Sequence, residues 1–258
     1  MTNDQAGNDL SVIMIVFNAE RSIEKSLQSV SWAQEIIIVD SYSSDKTVPV
    51  CRKFTDKIHQ CRFVDFAAQK NFALSKATKK WVLSLDSDEV VTEKLASEIR
   101  GVIAKPASAG YRIPRKSEIF GRKFRFTGTQ DDVPLRLFLR ADAKFVQPIH
   151  ETVEIRGAIS QLKQAMLHVP FEGIAQYFEK LNRYTTLEAA LRRSQGKIYG
   201  TVDAGLRPWL VFLKLFFLKQ GFRDGWEGFL YSALSAAYHF VKIAKVIEGH
   251  GQAGASRG

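Results

Sequence analysis

The first ninety residues alternate between short apolar runs and stretches that repeat apolar residues at helical spacing. Almost wholly apolar runs predict strands buried on both faces of a sheet: LSVIMIVF, EIIIVD and WVLSLD, with a shorter strand in KIHQCRF. Helices are predicted between them, in AERSIEKSLQSVSW, SDKTVPVCRKF and FAAQKNFALSKA. This alternation predicts an α/β fold with a mostly parallel sheet flanked by helices.

The pattern changes after Gly110. GYRIPRKSEIFGRKFRF predicts two strands with a turn around Gly121, and further short strands follow in LRLFLR and AKFVQPIHETVEIRG. A long helix is then predicted for GIAQYFEKLNRYTTLEAALRRSQG. The part of the chain after Gly110 is therefore predicted to have an α+β arrangement, unlike the strand–helix alternation that precedes it.

The last predicted segment is a helical hairpin dense in aromatic residues and lysines, made of LRPWLVFLKLFFLKQGF and GWEGFLYSALSAAYHFVKIAKVIE. Neither stretch has the uninterrupted apolar length of a membrane-spanning helix. Aromatic residues interleaved with cations favour an amphipathic hairpin at a membrane surface, and the alternative is a hairpin that packs only on the domain.

These patterns predict four parts of the chain. Residues 1–9 form a disordered N-terminus, 10–200 the main α/β domain, 201–248 the C-terminal helical extension, and 249–258 a disordered tail.

The chain has 258 residues and a formal net charge of +10, with much of the positive charge after Arg112. This charge suits an anionic partner, such as a phosphorylated substrate or an acidic membrane face. The sequence contains no recognisable nucleic-acid-binding module, so we expect no nucleic acid. The two cysteines, Cys51 and Cys61, lack metal-ligand spacing and no signal peptide is visible, so we expect a cytoplasmic protein with reduced thiols.

Two aspartates close the WVLSLD run, Asp86 and Asp88. If the chain stays extended through Ser87, their carboxylates project from the same side and repel each other. A divalent cation, Mg²⁺ or Mn²⁺, offsets that repulsion, since hard oxygen ligands suit both ions. The alternative is a solvated turn in which Asp88 caps a helix that starts near Glu89.

Polar residues follow three predicted strands: Asn18 the first, Asp40 the second, and Asp86 with Asp88 a later one. Parallel sheets bind ligands at the carboxyl ends of their strands, so we expect these residues to share a site. The sequence has neither G-x-G-x-x-G after the first strand nor a Walker A motif, so a glycine loop is not expected to hold phosphates.

Four stretches together resemble the family 2 glycosyltransferases with a GT-A fold: SVIMIVFNAERSIEKSLQSV, EIIIVDSYSSDKT, AAQKNFALSKATKKWVLSLDSDE and LRLFLR with IHE. Within that family, the chain is similar to the β-1,4-glucosyltransferases of the lipopolysaccharide inner core. The resemblance covers roughly residues 10 to 190. It implies a GT-A, Rossmann-like sheet and an inverting transfer from a nucleotide sugar.

The resemblance also implies roles for individual residues. It implies donor-nucleotide contacts for Asn18, Glu20, Asp40, Ser43, Asp45, Lys70, Asn71 and Asp86. It implies a metal on Asp86 and Asp88 that bridges to the sugar diphosphate, and His150 is a further candidate as a metal or phosphate ligand.

An inverting transferase needs a carboxylate base for the acceptor hydroxyl. Glu151 in IHE is favoured, and Asp132 is the alternative. Relatives hold an aspartate at the Asp132 position within a W-Y-P-D-like stretch, but this chain reads TQDD, which leaves its acceptor contacts open. The alternative for either carboxylate is an ion pair with Arg136 or Arg140, and Arg136 is a candidate for acceptor phosphate or acidic sugars.

The expected activity is hexose transfer, with glucose from UDP-glucose, to a lipid-linked oligosaccharide of the lipopolysaccharide inner core. The enzyme is expected to be peripheral, on the cytoplasmic face of the inner membrane. Alternatives are the same chemistry on a polysaccharide precursor, a polyprenyl lipid or a protein, or a non-catalytic sugar-nucleotide or glycolipid binding protein. A nucleotidyltransferase is disfavoured, because IVFNAERS is not its glycine-rich, basic loop.

Overall fold

The computed structural model describes residues 9–149, 151–171 and 173–255. The chain divides into two compact units. The sheet unit contains the chain up to Lys116 together with Asp132–His168. The helical unit contains Ser117–Asp131 and the chain from Val169 onward.

The sheet unit begins with alternating strands and helices, as its sequence pattern predicts. In chain order these are β1 Leu10–Val16, α1 Ile23–Ser29, β2 Glu35–Asp40, α2 Thr47–Cys51, β3 Ile58–Gln60, α3 Phe66–Lys76, β4 Trp81–Ser84, β5 Glu89–Val90 and α4 Glu93–Ala104. The later strands are β6 Gly110–Arg112, β7 Arg115–Ile119, β8 Arg122–Lys123, β9 Leu135–Leu139, β10 Lys144–Val146, β11 Thr152–Glu154, β12 Ile159–Gln161 and β13 Met166–His168.

Seven strands form the main sheet in the order β12-β6-β9-β4-β1-β2-β3. β1 pairs in parallel with both β2 and β4, β2 with β3, and β12 with β6, whereas β9 is antiparallel to its two neighbours. The predicted α/β class with a mostly parallel sheet is confirmed. The chain winds outward from β1 to β3 and then returns to β4 on the other side of β1. The carboxyl ends of β1 and β4 therefore flank the switch point at which such sheets bind ligands.

The two faces of this sheet explain why its strands read as continuous apolar runs. Along β1, Val12 and Met14 belong to one buried cluster and Ile13 to another. The first cluster includes Leu27 of α1 and residues of α4, and the second includes Ala73 of α3. Both faces are covered, so most positions on both faces are apolar.

The helical unit begins at the turn of the hairpin that β7 and β8 form, where Ile119 pairs with Arg122. Its two loop residues, Phe120 and Gly121, both have positive φ, as the type I′ turn of a two-residue hairpin requires. The sequence prediction of a turn around Gly121 is confirmed.

Three helices make up the rest of this unit: α5 Ile174–Ser194, α6 Thr201–Leu213 and α7 Gly225–Ala255. A π-helical segment, Lys214–Leu218, continues α6, and a short 3₁₀ turn, Gly221–Asp224, precedes α7. In the part of the chain that the structure describes, no helix has both the length and the apolar content needed to cross a bilayer.

Two boundaries differ from the sequence prediction. α5 belongs to the helical unit, so the division falls at Val169 rather than at 200, because α5 packs through Tyr177 and Leu181 against residues of α7. The tail predicted to be disordered from 249 is helical as far as Ala255. Residues 1–8 of the predicted disordered N-terminus and 256–258 of the tail lie outside the described residues.

Candidate active site

The DSDE stretch after β4 forms a closed turn. The backbone N–H of Asp86 donates to Glu89 Oε2 at 2.9 Å, and the N–H of Glu89 donates to the Asp86 carbonyl at 3.0 Å. Glu89 then starts β5, and the following helix begins only at Glu93, where Thr92 caps it. The alternative in which Asp88 caps a helix near Glu89 is therefore wrong.

Asp86 and Asp88 have different surroundings, contrary to the extended geometry expected from sequence. Asp86 Oδ1 lies 2.9 Å from Lys70 Nζ, and Oδ2 lies 2.5 Å from Arg136 Nη2. Asp88 Oδ1 instead lies 3.7 Å from His168 Nε2. Each of the two carboxylates thus has its own cationic or ring-nitrogen partner.

Asp86 is the carboxylate most strongly affected by this environment. Burial by itself raises its pKa, but Arg136 and Lys70 outweigh burial and hold the pKa well below the usual range. Arg136 in turn has a raised pKa, because Asp86 and Glu89 outweigh the effect of its own burial. Asp86 is therefore an anion whose two oxygens are both engaged by cations.

Lys70 connects this aspartate to the favoured base candidate. Its ammonium lies 2.5 Å from Glu151 Oε1 as well as 2.9 Å from Asp86, and the residue is only 2% exposed. α3 carries Lys70, so a helix from one face of the sheet joins Asp86 at the end of β4 to Glu151 just before β11. The structure thus brings together three residues that the sequence analysis had singled out.

Glu89 is a site residue that the sequence analysis missed. It is fully buried, and its Oε1 lies 2.9 Å from Arg115 Nη1 and 2.7 Å from Arg136 Nη2. Its only signal in the sequence was its position directly after the DxD pair. Arg115, also missed, has a raised pKa because Glu89 outweighs the burial of its guanidinium.

Asp132, the alternative base, forms an ion pair with Arg115: its Oδ2 lies 2.7 Å from Nε and 2.5 Å from Nη2. The predicted ion pairs of the base candidates exist, but with Lys70 and Arg115 rather than with the neighbours Arg136 and Arg140. Arg140 donates instead to the Lys79 carbonyl at 3.0 Å.

A cavity of about 420 Å³ opens beside this cluster. Its charged lining residues are Asp86, Arg112, Arg115, Arg136 and Glu151. Asp132 is not among the described residues that line it. The cavity therefore gives a ligand access to Glu151 and to three guanidinium groups.

The predicted nucleotide residues gather at the ends of β1 and β2. Asn18, in a left-handed conformation at φ 48°, receives Ser44 N–H on its Oδ1 at 2.9 Å and donates its own N–H to Ser43 Oγ at 2.9 Å. Ser43 N–H donates to both oxygens of the buried Asp40, at 3.2 and 3.1 Å. Asn18, Asp40 and Ser43 thus form one connected group at the switch point.

Glu20 and Asp45 join the same two loops. The Glu20 N–H donates to Asp45 Oδ2 at 3.1 Å, and the Lys46 N–H donates to Glu20 Oε2 at 2.9 Å. Burial raises the pKa of Asp45, but hydrogen bonds from Thr47 and Glu20 outweigh it and lower that pKa. In this structure the two carboxylates bind backbone and fix the loop geometry.

Asn71 has a structural role, and its expected nucleotide contact stays a prediction. Its side-chain amide donates to the Phe145 carbonyl at 2.8 Å and accepts from the Phe145 N–H at 2.9 Å, which ties α3 to β10. Gln69, two residues earlier, was missed. Its amide donates to Ser41 Oγ at 2.9 Å and to the Cys61 carbonyl at 3.1 Å, next to the end of β2.

The predicted metal on Asp86 and Asp88 stays a prediction. Among the described residues, no three His, Cys, Asp or Glu side chains converge closely enough to hold an ion alone. His150 lies outside the described residues. His168 was missed by the sequence analysis, and β13 places it opposite Glu89 of β5. Burial lowers the pKa of His168 and so favours the neutral imidazole, the form that ligates metals.

The donor set thus fits a divalent cation at Asp88 and His168, which provide an oxygen and a nitrogen, better than at Asp86. Both oxygens of Asp86 already lie against buried cations. A bound diphosphate would provide the further oxygen ligands that Mg²⁺ and Mn²⁺ require.

The sheet unit thus combines a polar group at the ends of β1 and β2 with a cavity lined by two carboxylates and three guanidinium groups. The family model for Glycosyl transferase family 2 matches residues 11–165, more than half of the chain. The chain belongs to this family.

Two similar proteins and one solved structure extend the comparison. The chain is 27% identical over 250 residues to the lipopolysaccharide core biosynthesis glycosyltransferase LpsC of Rhizobium meliloti, covering 93% of both chains. It is 27% identical over 261 residues to an uncharacterized glycosyltransferase of Rickettsia typhi, covering 93% of this chain and 87% of that one. TarS 1-349 of S. aureus in complex with UDP-GlcNAc aligns over 95% of this chain and 92% of that one, at 16% identity and a TM-score of 0.49.

Proposed function

We propose that this family 2 glycosyltransferase moves a hexose, glucose from UDP-glucose, to a lipid-linked oligosaccharide of the lipopolysaccharide inner core with inversion. The similarity to LpsC along 93% of both chains supports the acceptor class. The observation that carries the proposal is the Asp86–Lys70–Glu151 chain of ion pairs beside an open cavity that Asp86 and Glu151 both line.

Glu151 is the proposed general base. Its Oε1 lies against Lys70, and no hydrogen bond to its Oε2 is found within the described part of the chain. Oε2 is then the atom that takes the proton from the acceptor hydroxyl as that oxygen attacks the sugar. Glu151 also lines the cavity, which favours it over Asp132.

The donor is proposed to lie across the ends of β1, β2 and β4. Asn18, Asp40 and Ser43 offer a preorganised polar rim for the nucleoside, and Lys70 a buried positive charge toward the diphosphate. Mg²⁺ or Mn²⁺, held by Asp88 with His168, would neutralise charge on the departing diphosphate. In this proposal Asp86 fixes Lys70 and Arg136 rather than ligating the ion.

An anionic acceptor is proposed to meet the guanidinium side of the cavity. Arg136 was the predicted contact, but its Nη2 is already shared by Asp86 and Glu89. Arg112 lines the same cavity and is exposed. Among the described residues, its guanidinium makes only one hydrogen bond, of 3.4 Å, to the Val133 carbonyl. An acceptor phosphate or carboxylate is therefore assigned to Arg112 first.

Membrane association is proposed to come from the helical unit, with the enzyme peripheral on the cytoplasmic face of the inner membrane. Trp209 and Trp226 expose about two thirds of their surface, at 66% and 67%. Aromatic side chains beside cations are the composition of interfacial helices.

Calorimetric titration with UDP, in the presence and absence of Mn²⁺, tests the donor and metal assignments together. We expect binding that Mn²⁺ strengthens, and we expect Asp88→Asn to lose that strengthening by 10-fold or more. The exposed Asp56→Asn is the matched control and should behave as wild type. Equal UDP binding with and without Mn²⁺ would remove the metal role, and no binding in either condition would overturn the UDP donor.

A further inference from the structure

An apolar groove of about 650 Å³ lies between α6 and α7 in the helical unit. On α6 it is lined by residues four apart on one face, and on α7 by a matching apolar face. The lining residues are Ala204, Gly205, Pro208, Trp209 and Phe212 of α6 and Phe229, Ala233, Ala236, Ala237 and Phe240 of α7. No described side chain that lines it carries a charge.

Small residues and aromatic residues shape different parts of this groove. Alanines and Gly205 leave the space open, whereas Phe229 and Phe240 lie toward its two ends along α7. Phe229 contacts Phe212 with ring centroids 5.7 Å apart and stacks on Trp226 at 5.4 Å. The length from Phe229 to Phe240 is about 16 Å along the helix axis. That is close to the ~15 Å hydrocarbon depth of one membrane leaflet.

The other face of α7 already has a partner. Tyr177 of α5 donates to the Leu234 carbonyl at 2.7 Å, and Lys242 lies 2.9 Å from Glu188 of α5. The groove therefore lies on a face of α7 different from the one that α5 covers. Its aromatic residues remain partly exposed, with Trp209 at 66% and Phe240 at 50%.

The charge around the groove points to an anionic amphiphile. The segment 197–223, which contains all of α6, carries five basic residues and one acidic residue. Lys214, directly after α6, is exposed. A second copy of the chain would bring the same positive charge to the face, which opposes self-association. The termini outside the described residues, 1–8 and 256–258, contain one large apolar residue, Met1, so they offer no apolar segment to fill the groove.

We infer that the α6–α7 groove binds one acyl chain of an anionic membrane lipid, with the head group among the basic residues of 197–223. This deepens the proposed membrane association and rests on it. A groove of several hundred Å³ lined by aromatic and aliphatic groups is of the size that holds a ligand rather than a packing defect. The protein would then bind a single acyl chain in a defined groove, and would not only insert exposed aromatic side chains into the membrane.

The test uses full-length protein and lauroyl-lysophosphatidylglycerol below its critical micelle concentration. We expect saturable binding, and a form brominated on its acyl chain should quench tryptophan fluorescence. Trp209→Phe should remove most of that quenching, because Trp209 lines the groove. Lauroyl-lysophosphatidylcholine, which lacks the net negative charge, should bind several-fold more weakly.

Gly205→Leu is the decisive variant. Gly205 lines the groove and a Cβ there meets no atom within 4 Å, so we expect a leucine side chain to occupy groove space, and leucine also favours helix over glycine. We expect it to weaken lysolipid binding by 10-fold or more. Gly101→Leu in α4, where a Cβ also meets nothing within 4 Å, is the matched control and should bind as wild type.

Three results would overturn the inference. The first is wild-type protein that floats with phosphatidylglycerol vesicles but does not bind the monomeric lysolipid. The second is Gly205→Leu that binds the lysolipid as tightly as wild type does. The third is a dimer in light scattering that Gly205→Leu converts to monomer, which would make a second copy the occupant. UDP binding, measured separately, reports on the donor proposal, so failure of one does not imply failure of the other.

Discussion

In the sheet unit, Lys70 and Arg136 are 2% and 7% exposed, whereas in the helical unit Trp209 and Leu218 are 66% and 79% exposed. One region thus buries charge and the other exposes apolar surface. Buried charges are retained only when they are paired or bind a ligand, and exposed apolar patches mark interaction surfaces. Both departures from ordinary placement indicate function, but they predict different responses to substitution.

The largest expected effect is on catalysis in the charged region. Glu151→Gln should lower kcat by about 10²- to 10⁴-fold with little change in UDP affinity, because a general base acts mainly in the transition state. UDP release from UDP-glucose, with deacylated lipopolysaccharide core as acceptor, measures the rate. Asp132→Asn should have the smaller effect. The reverse ranking would transfer the base role to Asp132.

The next largest expected effect is on the free energy of unfolding, and two lysine substitutions are compared. Lys70→Met leaves Asp86 and Glu151 without their shared cation and should lower the free energy of unfolding by about 3–5 kcal/mol. Lys214→Met, at an exposed position in the helical unit, should change it by less than about 0.5 kcal/mol. Urea unfolding of both variants gives the comparison. Equal small losses would mean that the buried ion pairs contribute little to the fold.

The third effect concerns how the stability of the fold depends on pH, and it is expected to be the smallest of the three. Glu35, buried at the start of β2, has a pKa near 2, lowered from 4.5: burial raises it, but Lys57, Ser11 and Thr78 outweigh burial. A lowered folded pKa stabilises the protein above pH 4.5, and this contribution is lost as the pH falls from 4.5 toward 2. This lowering of the Glu35 pKa corresponds to about 3 kcal/mol of folding stability at neutral pH.

Acid unfolding of Glu35→Gln measures this contribution. The variant should be less stable than wild type at pH 7, and the difference should shrink as the pH falls toward 2. Asp56→Asn is the control, since Asp56 is an exposed residue. Wild type and Glu35→Gln curves that stay parallel in acid would remove Glu35 as a source of acid sensitivity.

Much of the fold was predictable because its signals are local. The apolar runs of β1, β2 and β4 are continuous since both sheet faces are covered, and that pattern needs no partner to be recognised. Asn18, Asp40 and Asp86 follow strands whose ends must meet in a parallel sheet. The link between Asn18 and Asp40 through Ser43 therefore followed from the order of elements along the chain.

Partners of the site were not predictable, since they come from distant parts of the chain. Lys70 meets Glu151 across 81 positions, and Arg136 meets Asp86 across 50. His168 lies beside Asp88 only because β13 pairs with β5. The partner of Asn71 is equally distant: its amide binds the Phe145 backbone, which ties α3 to β10.

The sequence by itself determined the α/β class, the family resemblance, the positions of the strand-end carboxylates and the aromatic, basic character of the C-terminal helices. Periodicity and composition decide these, because they depend on neighbours within a few residues. Only the tertiary structure decided that Asp86 lies between two buried cations, that Glu151 shares one of them, and that α6 and α7 leave a groove between them. Each depends on where separate elements meet, and that is set by packing.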